Sequence, residues 1–132
     1  MERHYPEPPE LAPTPEPYSH VVRCGETVYI AGQVAFDDEN RIVGVGDPHR
    51  QAEQVWANIE RAARAAGSSL AEVVKITVFV KDIRDAKAEV EVRQRLFEQG
   101  RYPVCTQVQV ANLGLPELLM EVDAVAVIDA GH

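Results

Sequence analysis

The sequence is poor in basic residues. It has 13 Lys and Arg against 21 Asp and Glu among 132 residues, for a net charge of −8 at pH 7. Such a charge repels phosphate backbones and anionic lipid headgroups. The arginines are also interspersed with acids, as in Glu60-Arg61 and Glu91-Val92-Arg93, which is typical of a solvated helix surface. We therefore expect neither nucleic acid nor membrane as a partner.

Long apolar runs are missing as well. No segment approaches the roughly 18 apolar residues that a membrane-spanning helix needs. Residues 1–17 carry acids and prolines where a secretory signal would need an apolar stretch. These absences lead us to expect a cytoplasmic protein.

Cysteine is scarce, and no cofactor motif is complete. Cys24 and Cys105 are the two cysteines, and they lie too far apart in sequence to resemble a metal-binding pair. A cytoplasmic setting disfavours a disulfide, so we expect free thiols. Gly44-Val45-Gly46 lacks the third glycine and the strand-to-helix setting of a dinucleotide-binding motif, and the histidines show no metal-ligand spacing. We expect no metal and no organic cofactor.

Proline is concentrated at one end of the chain. Six of the nine prolines fall within residues 1–17, where they fix φ, remove amide donors and favour extended backbone. The sequence predicts an arm over residues 1–17, loose or wrapped on a surface, followed by a single domain over residues 18–132.

Two helices are indicated in the domain. Asp47-Pro48 places a capping side chain before a proline, apolar residues then recur at helical spacing, and Gly67 is a plausible end. A second helix starts near Asp82 or Asp85 and is expected to stop at Gly100.

Five strands complete the pattern. Residues 21–22 and 28–31 predict a hairpin, and the β-branched run 73–80 predicts a central strand covered on at least one face. Residues 104–111 and 120–128 predict two more strands. The order is ββ-α-β-α-ββ, an α+β fold. Because two helices can cover only one face of such a sheet, we expect self-association to cover the other.

Several segments together resemble the RidA/YjgF family, also called the endoribonuclease L-PSP family. They are residues 17–20 (PYSH), 30–34 (IAGQV), 66–70 (AGSSL), 74–82 (VKITVFVKD), 102–104 (YPV) and 120–127 (MEVDAVAV). The resemblance covers about residues 16–128 in the family's order.

The resemblance implies a chorismate-mutase-like mixed sheet with two helices on one face. It also implies a homotrimer with an active site in each cleft between subunits. Active members hydrolyse reactive enamines and imines of 2-keto acids, without metal or organic cofactor. Their site uses an arginine fork for the substrate carboxylate, a glutamate for the attacking water and a tyrosine in the pocket.

Only part of this set is present here. The resemblance matches Tyr18 to the pocket tyrosine, Ala31 and Gly32 to the strand segment that approaches the ligand, and Glu121 to the glutamate. The arginine position holds Cys105. A thiol does not replace a permanent bidentate cation.

Two interpretations of Cys105 stay open. If residues 18 and 20 lie on a strand, Tyr18 and His20 project from one face, and His20 could activate Cys105 as a nucleophile with Glu121 assisting. Alternatively, Cys105 fills the space left by the arginine, His20 is a plain hydrogen-bonding residue and Glu121 is structural. Arg101 is a candidate substitute cation.

We therefore predict a homotrimeric RidA-like hydrolase or deaminase. It would act on a small-molecule imine, enamine or related compound, and not as a standard 2-imino acid deaminase. The alternative is a catalytically silent trimer of the same fold that binds a ligand or regulates. Net charge argues against the ribonuclease activity that one family name suggests.

Overall fold

One mixed sheet with two helices forms the molecule. The computed structural model describes residues 2–129. Its elements are β1 (Arg3–His4), β2 (Val21–Cys24), β3 (Thr27–Gln33), α1 (Pro48–Ala65), β4 (Val73–Val80), α2 (Ala86–Leu96), β5 (Val104–Gln109) and β6 (Met120–Val127). The strands are ordered β1-β2-β3-β6-β4-β5, and among these described strands only the β4–β5 pair is parallel. The predicted α+β class is confirmed.

The expected hairpin joins β2 and β3. Val21 pairs with Ile30, and Cys24 pairs with Thr27 across a two-residue turn. Gly25 takes a φ of 61° in that turn, a value that a residue without a Cβ adopts at little cost.

Helix α1 follows from its own sequence signals. The Asp47 side chain accepts a hydrogen bond from the Arg50 amide at 3.0 Å, and Pro48 occupies the first turn. The helix ends at Ala65, and Gly67 then has a φ of 83°. Both predicted ends are confirmed to within the usual uncertainty of a helix end.

Helix α2 is shorter than predicted. A 3₁₀ turn (Ile83–Asp85) precedes it, and it ends at Leu96 instead of Gly100. Phe97 is extended, with φ −115° and ψ 145°, and its buried ring meets the Trp56 ring edge-on at a centroid distance of 5.4 Å. The expected stop at Gly100 is therefore wrong, because burying Phe97 against α1 takes the chain out of the helix earlier.

The two faces of the sheet differ in character. Under the helices, β4 and β6 contribute buried aliphatic side chains, listed as Ile76, Val78, Val80, Val122, Ala124 and Ala126. The alternate positions of the same strands, among them Thr77, Phe79, Glu121 and Asp123, project from the opposite face, which neither helix of residues 2–129 covers. We call this second side the open face.

The proline-rich arm is packed on the domain. Its strand β1 pairs with β2, with Arg3 opposite Cys24, and Leu11 belongs to the hydrophobic core at 9% exposure. Prolines restrict the chain but do not prevent short strand pairing at a sheet edge. Among residues 2–129, neither helix is both long and apolar enough to cross a membrane.

Candidate active site

A cavity of about 570 Å³ opens beside β3 and β6. Apolar and small residues form most of its wall, together with two carboxylates and one phenol. The lining residues are Pro15, Glu16, Tyr18, Ala31, Gly32, Val34, Phe36, Asn40, Gly114, Leu115, Leu118 and Glu121. Four of the residues singled out in the sequence therefore share one cavity: Tyr18, Ala31, Gly32 and Glu121.

A β-bulge shapes this cavity. Ile30 pairs with Ala124 and Gln33 with Val122, so β3 advances three residues while β6 advances two. The extra residue lies at Ala31–Gly32, and bulges of this kind often re-aim backbone at functional sites. The bulge lies beside Glu121, where β6 passes the cavity.

Gly32 and Glu121 are in close contact. A Cβ built on Gly32 would lie 2.2 Å from Glu121 Oε2 and 2.8 Å from Glu121 Cδ. Only glycine therefore leaves room for the carboxylate in this position. The glycine is needed for the space that it leaves free and not for its backbone freedom.

The Glu121 carboxyl is in an unfavourable place for a negative charge. Partial burial raises its pKa above the ordinary value, and the charge of Asp123 raises it further. Within residues 2–129 the structure records no cation and no hydrogen-bond donor on this carboxylate. Such a group gains from taking up a proton, which is what a base acting on water must do.

Tyr18 shares this electrostatic environment. Its pKa is raised, first by burial and then by the negative charges of Glu121 and Glu16. The phenol therefore stays protonated at neutral pH and can donate a hydrogen bond to a ligand.

His20 lies under the arm, close to Tyr18 but in a different role. Its Nε2 is 2.8 Å from the Ala12 carbonyl oxygen, which can only accept, so Nε2 carries the proton. Its Nδ1 then accepts from Gln33 Nε2 at 3.2 Å. The Tyr18 and His20 rings meet edge-on at 6.4 Å. Both ring nitrogens are thus occupied, Nε2 by the arm and Nδ1 by Gln33 of β3. Residues 18–20 precede β2 instead of lying on a strand.

Cys105 does not line this cavity within one chain. It is on β5, two strands from β6, which is roughly 10 Å at ordinary strand spacing, and four strands from β2. Cys105 pairs with Ile76, which also pairs with Ala124, so its side chain projects from the helix side of the sheet. Glu121 is three residues from Ala124 on a regular strand and projects from the open face. A single chain therefore brings neither His20 nor Glu121 to Cys105.

The surroundings of Cys105 contain an arginine that the sequence did not single out. Arg93 Nε and Nη2 donate to the two Glu89 carboxylate oxygens at 3.0 and 2.7 Å, and Trp56 Nε1 donates to Glu89 Oε2 at 3.0 Å. Burial lowers the pKa of Arg93, but Glu89 and then Cys105 outweigh burial and leave it raised. The guanidinium thus contacts the thiol from α2.

The sequence contains one signal for this group, the i,i+4 spacing of Glu89 and Arg93. That spacing is more often a solvated surface pair. Here Glu89 is fully buried and the Arg93 side chain is only 13% exposed. The Arg101 side chain, considered as a substitute for the missing arginine at position 105, is 79% exposed, and its Nε lies 3.7 Å from Glu98 Oε2.

The described residues 2–129 contain no group of three or more His, Cys, Asp or Glu side chains arranged to hold a metal ion. The chemistry that the cavity offers on its own is acid–base chemistry: a carboxylate that gains from protonation, a neutral phenol donor and apolar walls.

Comparisons with known proteins agree with this architecture. The family described as Endoribonuclease L-PSP matches residues 10–128. A RutC family protein of Pyrococcus abyssi is 36% identical over 118 residues, which is 89% of this chain and 91% of that protein. A 2-iminobutanoate/2-iminopropanoate deaminase of Dermatophagoides farinae is 31% identical over 120 residues, 90% of this chain and 92% of the relative.

A solved structure, RidA from an Antarctic Psychrobacter species, superposes with a TM-score of 0.87 at 33% identity. The match covers 95% of this chain and 99% of that one. The family match, the near-complete coverage of these relatives and the shared fold lead to one conclusion. The chain belongs to the RidA/YjgF family, also described as the endoribonuclease L-PSP family.

Proposed function

We propose that the protein hydrolyses a small imine or enamine to a carbonyl compound and ammonia. The observation that carries the proposal is the Glu121 carboxylate, half-buried in a cavity against Gly32 and beside a neutral Tyr18. The name of the Dermatophagoides farinae relative, 2-iminobutanoate/2-iminopropanoate deaminase, supports this reaction class.

The reaction can be written with these groups alone. Glu121 takes a proton from water as the water oxygen bonds to the carbon of the protonated imine, and the C=N π electrons move to nitrogen, which gives a neutral carbinolamine. Glu121 then passes that proton to the nitrogen, the C–N bond breaks as ammonia leaves, and a lone pair of the hydroxyl oxygen forms the C=O bond. The hydroxyl proton returns to Glu121 and from there to solvent. An enamine enters after protonation at its β carbon. Tyr18 donates a hydrogen bond to the substrate.

We further propose that the working site forms in clefts between three copies of the chain. The open face and its strand ends expose apolar side chains that a partner would cover, with Tyr29 at 52%, Val104 at 67% and Val127 at 43% exposure. Sedimentation equilibrium should give three times the mass of one chain; a monomer at micromolar concentration would contradict this part of the proposal.

Cys105 sets the proposed selectivity. In the family's arrangement an arginine at this position grips the substrate carboxylate, and a thiol offers no such grip. We expect weak activity on 2-imino acids. His20 acts as a positioning residue that anchors the arm through Ala12 and so supports Tyr18.

The test is a coupled assay with freshly generated 2-aminoacrylate and 2-iminobutanoate, following ammonia and keto-acid release. The parent should be slow on both, and Cys105→Arg should be faster. Gln107→Arg is the matched control, since it adds the same charge two positions along the same face of β5. A parent as fast as ordinary members would contradict the selectivity. A catalytically silent ligand-binding trimer would release no ammonia from these or other imines.

The nucleophile hypothesis for Cys105 has its own test. Iodoacetamide labelling across pH should show slow labelling of Cys105 at pH 6, at a rate that His20→Ala leaves unchanged. Rapid labelling at pH 6 that His20→Ala abolishes would instead support a Cys105–His20 dyad formed between subunits.

A further inference from the structure

The charges that line the cavity have one sign. Glu16 and Glu121 are the only carboxylic acids among the described lining residues, and no Lys, Arg or His belongs to that lining. Asp123, next but one to Glu121 on β6, adds a third negative charge close by. The interior therefore favours positive charge and opposes a second carboxylate.

Arg93 and Arg101, the two arginines considered near Cys105, do not reverse this balance. Arg93 is held by two hydrogen bonds to the fully buried Glu89, so the pair has almost no net charge to offer a ligand. Arg101 is exposed and faces Glu98. A substrate carboxylate that reached Cys105 would meet a thiol and an arginine already bonded to an acid.

The remaining wall suits a short apolar substituent. Val34, Phe36, Leu115 and Leu118 line the cavity, and the Tyr18 ring adds a face that a cation can approach. A positively charged nitrogen beside Glu121 would also lie where a water polarised by that carboxylate can reach the adjacent carbon.

We propose that this site selects a cation without a carboxylate: a protonated imine of a simple aldehyde or ketone, open or cyclic, in place of a 2-imino acid. The inference rests on the proposed function and narrows its substrate class. The positive charge of the iminium activates its carbon for attack and is also the feature that the two lining carboxylates recognise.

Binding of two unreactive probes to the full-length protein tests this choice. Pyrrolidine is a cation at neutral pH, and 2-oxobutanoate is an anion of similar size. Isothermal titration calorimetry should detect pyrrolidine, with 2-oxobutanoate at least tenfold weaker. Glu16→Gln should weaken pyrrolidine about fivefold, as expected for one charge near 4 Å in water-like surroundings. Glu53→Gln, an exposed site on α1 with the same change in net charge, should leave binding unchanged.

Each outcome bears on the inference. It is overturned if 2-oxobutanoate binds as tightly as pyrrolidine, if pyrrolidine does not bind, or if Glu16→Gln weakens it no more than Glu53→Gln. Turnover separates the two proposals. Faster hydrolysis of 2-iminobutanoate than of 1-pyrroline sinks the inference and leaves the proposed function standing. Tight pyrrolidine binding without hydrolysis of any imine sinks the function alone.

Discussion

Two carboxylates of this chain, Glu89 and Glu121, are both shielded from water, but they differ in whether hydrogen-bond donors compensate their charge. Glu89 is fully buried, and three donors from Trp56 and Arg93 satisfy it. Glu121 is only partly buried, yet among residues 2–129 no donor is recorded on its carboxylate, and its neighbour Asp123 raises its pKa. A satisfied buried charge holds structure together, whereas an unsatisfied one beside a cavity is available for chemistry.

The largest expected effect is on activity. Glu121→Gln keeps the shape of the side chain but removes the base, so imine hydrolysis should fall about 10²–10⁴-fold. Steady-state rates on the best imine substrate give the measurement. A decrease of less than threefold would show that Glu121 is a structural strand residue.

The corresponding change at Glu89 should act on stability. Arg93→Met leaves a buried, unpaired carboxylate and should lower the free energy of unfolding by about 3–5 kcal/mol, measured in urea. Changing both residues, Glu89→Gln with Arg93→Met, should recover most of that loss, because the neutral amide oxygen can still accept from Trp56 Nε1. If Arg93→Met proves neutral, the pair is not the buried network described above.

Gly32→Ala tests the contact that positions Glu121. The new methyl group must displace the carboxylate, so activity should fall about 10²-fold. The same collision should lower the free energy of unfolding of Gly32→Ala. This loss should disappear when Glu121→Ala is also present, because the collision is with that side chain. If the two substitutions changed the free energy of unfolding additively, the destabilisation by Gly32→Ala would not come from contact with Glu121.

The smallest effect is a pH dependence of stability. Because the pKa of Glu121 is higher in the folded protein than in the unfolded chain, the folded protein binds a proton there more tightly. The parent therefore loses stability as pH rises through that pKa. Glu121→Gln has no such loss. It should therefore be more stable than the parent at pH 7.5, and the difference should vanish below the ordinary glutamate pKa.

Asp123→Asn provides the check on cause. In the Asp123→Asn background, the stability difference between Glu121 and Glu121→Gln at pH 7.5 should be smaller, because the Asp123 charge contributes to the raised pKa of Glu121. The Asn side-chain oxygen can still accept the hydrogen bond that Asp123 receives from the Thr77 amide at 3.0 Å. Equal stability of parent and Glu121→Gln at both pH values would contradict the raised pKa.

Features of the fold that depend on residues close together in sequence could be predicted from the sequence, and features that depend on contacts between distant residues could not. The helix starting at Asp47-Pro48 and the β2–β3 hairpin rest on neighbours in sequence, and both were predictable. The end of α2 was not, because it depends on Phe97 meeting Trp56 from another helix. The Tyr18, Gly32 and Glu121 cluster followed from family resemblance, while the Arg93 contact with Cys105 required the packing of α2 beside β5.

The arm leads to a practical consequence. Its route from β1 through Leu11 to the Ala12 carbonyl ends on His20, two residues beyond Tyr18. Shortening the chain before residue 13 would free the imidazole and loosen the phenol, and it would also remove β1 from the sheet edge and Leu11 from the core. Ligand affinity and thermal stability should therefore both fall on trimming at this end.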